Sequence, residues 1–363
     1  MAGGGTGGHL YPALNLADAL RRAEPGVRIL FLGARRGLEA RVFPRTGHAY
    51  RLLPAQPLYR RRVWRNWRLL SSAPGVLAGL RRSFRGFEPD LVVGTGGYAS
   101  GPAVLWGRLT GRRTALQEQN AAPGLVTRGL ARWVDQVHLG YPEAAAELRL
   151  GSATELFCHG NPVATARPGV DPGGGTFDWP DGRVLLVVGG SQGARGLNLR
   201  LLADVERASV PWPEDVKVVW VAGPAHAGAV EARVAQLAWA DRIRVVPFIE
   251  RLGAQLSRVS LAVARAGAMF VAELAAAGVP SVLIPFPGAA GGHQSANARA
   301  MEAAGAAVVR EEAALAPGEL LNLLGEILGQ EPRRRQMAEA ARRRGAPEAA
   351  DRIAGDLLRL LSR

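Results

Sequence analysis

The sequence predicts an α/β protein of two nucleotide-binding-type units, each with a mainly parallel sheet covered by helices on both faces. Three observations predict it. Glycine-rich turns recur at residues 3–8, 94–97 and 189–193, and each feeds the start of a helix-like run. Strand-like and helical stretches alternate through both halves, as βα units do. A stretch rich in proline, glycine and aspartate, residues 167–182, separates the two series.

Taken in order, the first turn is Gly3-Gly4-Gly5-Thr6-Gly7-Gly8-His9, followed by Pro12 and the alanine- and leucine-rich run Ala13 to Leu20. Proline suits the first turn of a helix, where its missing N–H costs nothing. A glycine loop feeding a helix start gathers free N–H groups and the positive dipole end at one point, which suits a phosphate. A strand should precede this loop, yet only Met1 and Ala2 do. Either the first strand is missing from this sequence or the loop begins without its usual support. Strand-like runs then fall at Arg28–Leu32, Ala49–Leu53, Leu91–Val93, Thr114–Gln117, Gln136–Leu139 and Glu155–Cys158. A second series follows at Val184–Val188, Val216–Ala222, Ile243–Phe248, Leu261–Val263, Ser281–Ile284 and Ala306–Val309. The expected units are therefore residues 1–161 and 162–345, with a last helix over 346–363 free to pack back onto the first.

Composition narrows the function classes. No apolar run approaches the ~20 residues of a spanning helix, and no secretory pattern opens the chain. Cys158 is the only cysteine, which excludes an internal disulfide and a cysteine-based zinc site. The net charge of +14 is uneven: residues 1–160 hold 22 basic and 10 acidic side chains, residues 161–363 hold 23 and 21. The first half is thus expected to face something anionic. Between Tyr59 and Phe87, Trp64, Trp67, Leu77, Leu80 and Phe84 interleave with Arg60, Arg61, Arg62, Arg65, Arg68, Arg81, Arg82 and Arg85, and no acid lies between Glu39 and Glu88. Apolar and aromatic groups among arginines suit the headgroup layer of an anionic membrane. An ordinary amphipathic helix is the plainer alternative. No nucleic-acid recognition motif accompanies the charge, so nucleic acid is not expected as a partner.

In the second half, Arg265-Ala266-Gly267-Ala268-Met269-Phe270 follows a strand and opens a helix, at the edge where open α/β sheets bind ligands. Glu273 lies one to two turns inside, in reach of ligand hydroxyls or simply solvated. His293, Gln294 and Asn297 stand at a loop-to-helix junction and suit sugar hydroxyls, though capping would use them equally well. No P-loop lysine and no Asp-x-Asp pair after a strand is present, and Gly3-x-Gly5-x-x-Gly8 fits the dinucleotide spacing only within a denser cluster. A nucleotide diphosphate held by backbone N–H groups fits best, with neither a metal nor an organic cofactor expected.

Six motifs then occur in one order: Gly4-Gly5-Thr6-Gly7-Gly8-His9, Gly94-Thr95-Gly96-Gly97-Tyr98, Glu118-Gln119-Asn120, Gly160-Asn161-Pro162-Val163, Gly189-Gly190-Ser191-Gln192-Gly193-Ala194 and the block 265–298. Together they closely resemble the MurG family of peptidoglycan N-acetylglucosaminyltransferases, over nearly the whole chain. The resemblance implies a GT-B fold, two Rossmann-like domains whose parallel sheets flank a deep cleft. It implies inverting transfer of GlcNAc from UDP-GlcNAc to the 4-hydroxyl of a lipid-linked muramoyl-pentapeptide, by a peripheral enzyme on the cytoplasmic face of the plasma membrane. Carried over, His9 is the candidate general base, since a neutral imidazole accepts a hydroxyl proton near pH 7. Thr6, Gly7 and Gly8 would line the cleft and Asn120 would touch the donor sugar. Ser191 would bond the diphosphate and the main chain of Ile249 would bond uracil. Ala268, Met269 and Phe270 would offer N–H groups to phosphate and ribose, Glu273 would take the ribose hydroxyls, and Gln294 those of GlcNAc.

Three departures from the family pattern stand out. Ala164 replaces a usual arginine, leaving Arg167 or Arg195 to substitute; Phe270 replaces a threonine; and the first strand is lacking. Other readings are another GT-B enzyme, such as a glycolipid glycosyltransferase or a UDP-GlcNAc epimerase, and a nucleotide-binding oxidoreductase. The last would need a cleaner dinucleotide fingerprint than Glu24 or Glu39 completes.

Overall fold

The computed structural model describes residues 1–57, 63–164, 177–190, 193–207 and 213–363. Its contacts divide the chain into one unit of Met1–Val163 with Glu348–Arg363, and another of Ala164–Pro347.

The first unit runs α1 (Gly7–Ala23), β1 (Leu30–Ala34), α2 (Glu39–Val42), β2 (Ala49–Leu53), α3 (Trp67–Phe87), β3 (Leu91–Gly94), α4 (Ser100–Leu109), β4 (Arg113–Glu118), α5 (Leu125–Leu130), β5 (Gln136–Leu139) and β6 (Glu155–Cys158). All its named strands pair in parallel, β1 with β2 and β3 through β6 in sequence. The place between β1 and β3 is taken by the first two residues of the chain. Ala2 forms parallel bridges to both Leu32 and Gly94. Its N–H donates to Val93 O at 2.7 Å, and Leu32 N–H donates to Met1 O at 2.9 Å. These two residues lie where a strand between β1 and β3 would run, and they tie the loop behind them to both neighbours.

The second unit runs β7 (Arg183–Val188), α6 (Arg195–Arg207), β8 (Val216–Val221), α7 (Ala227–Val234), β9 (Ile243–Val246), β10 (Val259–Ala264), α8 (Ala268–Ala277), β11 (Ser281–Leu283), α9 (His293–Ala303), β12 (Ala307–Val309), α10 (Glu319–Gly329) and α11 (Glu331–Arg344). Its sheet is parallel, in the order β12-β11-β10-β7-β8-β9. The strands are nearly continuous apolar runs, as a sheet buried on both faces requires; Val184, Leu185, Leu186 and Val187 are fully buried. Trp220 is buried with its Nε1–H donating to Asn198 Oδ1 at 3.0 Å, so the indole leaves no polar orphan.

The last helix, α12 (Ala349–Leu361), belongs to the first unit. Ala350, Ile353, Ala354 and Leu357 share one core with Leu10, Ala13, Leu16 and Leu20 of α1. Their spacing of three and four residues puts each set on a single helix face.

In both sheets the chain builds outward one way, returns to the centre, and builds outward the other way. The reversal falls between Met1–Ala2 and β3 in the first unit and between β7 and β10 in the second. Loops leaving the carboxyl ends of such strands form the ligand-binding crevice of open α/β sheets. Every glycine turn and the 265–270 segment lie there.

Candidate active site

At the first unit's reversal point two glycine turns interlock. Thr95 Oγ1 donates to His9 O at 2.8 Å and Thr95 N–H to Ala2 O at 2.9 Å. A Cβ on Gly3 would lie 2.0 Å from Thr95 Oγ1, and one on Gly97 would lie 2.0 Å from Gly4 O. Gly97 also has φ +79°, a region side chains disfavour. The turn at 94–97 thus packs against the first loop and holds it. Gly97→Ala is expected to destabilise the first unit by roughly 2 kcal/mol or more, read as a lower thermal midpoint than the wild type.

Glu39 closes the loop from the other side. It is buried, and accepts from Gly5 N–H at 2.7 Å and Ala34 N–H at 2.8 Å. One N–H of the glycine loop is therefore taken by a carboxylate. What remains open is the start of α1: Thr6 is exposed and makes no side-chain cap, and among the described residues no acceptor faces the N–H groups of Gly7 and Gly8. His9 sits at this opening, with Nδ1 2.9 Å from Gln119 Oε1.

Glu118-Gln119-Asn120 divides its work. Glu118 is buried and accepts from Asn120 N–H and Nδ2–H at 3.1 Å each, from Gly124 N–H at 2.9 Å and from Thr127 Oγ1–H at 2.5 Å. It thereby holds the loop into α5. Asn120 is half-buried, its amide leaning on Glu118.

In the second unit, α8 starts after Gly267 without a side-chain cap. Among the described residues the N–H groups of Ala268, Met269 and Phe270 meet no acceptor, whereas Val271 N–H bonds Gly267 O at 3.0 Å. A Cβ on Gly267 would meet nothing within 4 Å, so the approach is open. Glu273 follows within the second turn, half-buried, and no donor among the described residues reaches its carboxylate. Burial pushes its pKa up to about 8. A Cβ on Gly253 would lie 2.4 Å from Glu273 Cδ, which places the segment Leu252–Arg258 against α8. Ile249, just before that segment, is buried beside the exposed Phe248. Gln294 Oε1 accepts from Phe286 N–H at 2.8 Å, leaving its Nε2 as the donor face. Gly193 has φ +76°, and a Cβ there would lie 2.3 Å from Ala222 O, so both backbone and space call for glycine. Ser191 and Gln192 lie outside the described residues, as do Tyr59–Arg62 and Arg167. Arg195 is exposed at the first position of α6, and Ala164 is exposed.

The chain matches the glycosyltransferase family 28 N-terminal domain over residues 1–139 and the family's C-terminal domain over residues 184–353. A relative from Salinibacter ruber is 42% identical over 100% of this chain and 96% of its own length. It is named UDP-N-acetylglucosamine–N-acetylmuramyl-(pentapeptide) pyrophosphoryl-undecaprenol N-acetylglucosamine transferase. A relative of the same name from Moorella thermoacetica is 39% identical over 97% of this chain and 96% of its own. The chain belongs to the MurG family. The crystal structure of Acinetobacter baumannii MurG superposes with a TM-score of 0.73 at 28% identity, over 99% of this chain and 98% of that one. The fold is accordingly GT-B.

Two other features sort differently from the sequence expectation. On α3, Trp67 and Leu77 are exposed, as is Trp64 just before it, and Arg81, Arg82 and Arg85 face outward with them. Leu80 is wholly buried and Phe84 packs on the same core, so neither can belong to an outward patch. The helical period explains it: 80 and 84 fall one turn apart on the face that meets the sheet. His138, His159 and Asp356 form a trio able to hold a metal ion. Here His159 Nε2 lies 2.6 Å from Asp356 Oδ2, Arg359 bonds the same carboxylate, and burial pushes the His138 pKa down to about 4. The trio joins α12 to the edge of the sheet, and a cavity of about 460 Å³ lined by His159, Asp351 and Arg352 belongs to that junction.

The MurG-family pattern names His9 without its partner. Gln119 was legible only as part of a motif, since spacing does not say which of three adjacent polar side chains turns toward the imidazole.

Proposed function

We propose that this protein transfers GlcNAc from UDP-GlcNAc to the 4-hydroxyl of undecaprenyl-diphospho-MurNAc-pentapeptide, with inversion at the anomeric carbon and release of UDP, in peptidoglycan synthesis. The reading rests on likeness along the whole chain to transferases named for this reaction. On this reading each step has a group. The second unit takes the donor: the N–H groups of Ala268, Met269 and Phe270 receive diphosphate and ribose oxygens, and Ser191 adds a hydroxyl donor. These are groups aimed at charge that grows as the C1–O bond to UDP breaks. Glu273 bonds the ribose hydroxyls, the main chain of Ile249 the uracil, and Gln294 Nε2 the GlcNAc hydroxyls, with Asn120 against the sugar. The first unit takes the acceptor along Thr6, Gly7 and Gly8. His9 Nε2 removes the proton from the attacking 4-hydroxyl as its oxygen bonds to C1.

A transfer assay with labelled UDP-GlcNAc and a lipid-linked muramoyl acceptor, run with and without magnesium, tests donor, acceptor and metal need together. No labelled disaccharide-lipid under either condition would remove the proposal.

The acceptor's lipid places the enzyme at a membrane. No helix among the described residues is long and apolar enough to cross one. We propose peripheral attachment to the cytoplasmic face through the outward side of α3, where Trp64, Trp67 and Leu77 enter the headgroup layer and Arg81, Arg82 and Arg85 meet anionic lipid. Co-sedimentation with anionic vesicles should be strong at low salt and weaken as salt rises. Trp67→Ser with Leu77→Ser should reduce it several-fold while the thermal midpoint stays within a few degrees. Equal binding to neutral vesicles, or none at low salt, would refute this attachment.

A further inference from the structure

We infer that Gln119 is a positioning residue that fixes His9 in the tautomer a general base needs, and that Gln117 and Asn161 hold Gln119 to that task. The inference deepens the reading of His9 as the base and rests on it.

Gln119 is buried, and its Nε2 donates to the main-chain oxygens of Thr95 and Gln117, both at 2.9 Å. The side-chain oxygen of Gln117 is a third neighbour of the same nitrogen. Turned the other way, the carboxamide would press its oxygen against three oxygens, so one orientation is forced. Its Oε1 then faces His9 Nδ1 at 2.9 Å. An amide oxygen only accepts, so Nδ1 must carry the hydrogen, and in the neutral ring Nε2 keeps its lone pair. Free imidazole side chains favour the opposite tautomer, with the proton on Nε2, which could not receive one from a hydroxyl.

The orientation is itself anchored. Gln117 Nε2 donates to Asn161 Oδ1 at 3.2 Å and to Glu118 O at 3.3 Å, and Asn161 Nδ2 donates to Gln119 O at 2.9 Å. Gln117 and Asn161 are as deeply buried as Gln119. Asn161 comes from the Gly160-Asn161-Pro162 motif, which the reaction leaves without a task. Gly96, with φ +93°, completes the fit, since a Cβ there would lie 2.5 Å from His9 Nδ1. The partner is uncharged: it orients the ring without the counter-charge that a carboxylate would supply to the imidazolium.

The test is ¹⁵N NMR of histidine-labelled protein at a pH where the ring is neutral. The signal of His9 is identified among the six histidines by its loss in His9→Gln. Wild type should show a protonated Nδ1 and a bare Nε2. Gln119→Met should shift His9 toward the Nε2–H form and lower kcat ~10- to 100-fold, with the KM for UDP-GlcNAc within about twofold. Gln119→Glu should keep the Nδ1–H form and move the acidic limb of the kcat profile to higher pH, because an added carboxylate favours the imidazolium. An Nε2–H ring in the wild type would overturn the inference and needs no variant to fold; it would leave the loss of turnover in a His9 variant untouched. Retention of the Nδ1–H form in Gln119→Met would overturn it too. A tautomer lost with turnover intact would sink His9 as the base, and the positioning role with it.

Discussion

Replacing His9 by alanine is expected to lower turnover of GlcNAc transfer by ~100-fold or more while UDP-GlcNAc affinity stays near the wild-type value. The second half follows from where the groups lie. Apart from Asn120, the donor's contacts are assigned to α8, Glu273, Gln294, Ser191 and Ile249 of the unit Ala164–Pro347, whereas His9 opens α1 in the other unit. The first half follows from the proton. A sugar hydroxyl is a weak nucleophile until its proton has somewhere to go, and among the side chains at the start of α1 only the imidazole can take one near neutral pH. The variant should fold, because the loop is held by main-chain bonds at Ala2, Gly3 and Thr95 and by Glu39, not by the imidazole. Steady-state kinetics and a UDP-GlcNAc binding titration on the same preparation check both halves. Near-normal turnover would remove His9 from the mechanism, and lost donor binding would place it with the wrong substrate.

The fold class was legible because its signals are local: apolar β-rich runs, glycine turns and helix starts repeat within a few residues of one another. The roles of the glycines were not. A glycine pattern records that a side chain is excluded, without saying what excludes it. At Gly97 the excluder is the opposite loop, at Gly193 it is the Ala222 carbonyl, and beside Gly267 there is open space. The three positions read alike in sequence and differ in what surrounds them. Leu80 was misassigned to the outward patch for a related reason, since a helix with arginine on most of its surface hides which apolar residues turn inward. The stub at Met1–Ala2 shows the limit from the other direction. Two residues carry no strand signal, yet they pair on both sides because two parallel neighbours offer the bonds. The contact of Gln119 with His9 was beyond reach, as it depends on which end of a symmetric-looking amide faces the ring.

Glu273→Gln should make the unliganded protein more stable, by an amount that grows as pH rises, while weakening donor binding. The carboxyl pKa stands near 8 because burial disfavours its charge, against an ordinary value of 4.5. The folded state therefore holds a proton that the unfolded chain gives up from about pH 4.5. The stabilisation is complete below that pH and is lost as pH climbs through 8, after which the cost is constant. Each unit of pKa difference corresponds to about 1.4 kcal/mol, so the advantage of the uncharged glutamine should reach a few kcal/mol near pH 8 and vanish toward pH 4. Thermal melts of both proteins across that range measure it directly, and a difference that does not change with pH would refute the account. Donor binding reverses the sign. Two ribose hydroxyls donating to the group favour the carboxylate, so binding should release a proton at pH 7 and tighten as pH rises from 6 to 8. The glutamine variant should bind UDP-GlcNAc ~10-fold or more weakly and show no such pH dependence. Titration calorimetry in two buffers of different ionisation enthalpy counts the proton. A wild-type count of zero would mean that Glu273 is not in contact with the ribose, and the site would have to be sought elsewhere along α8.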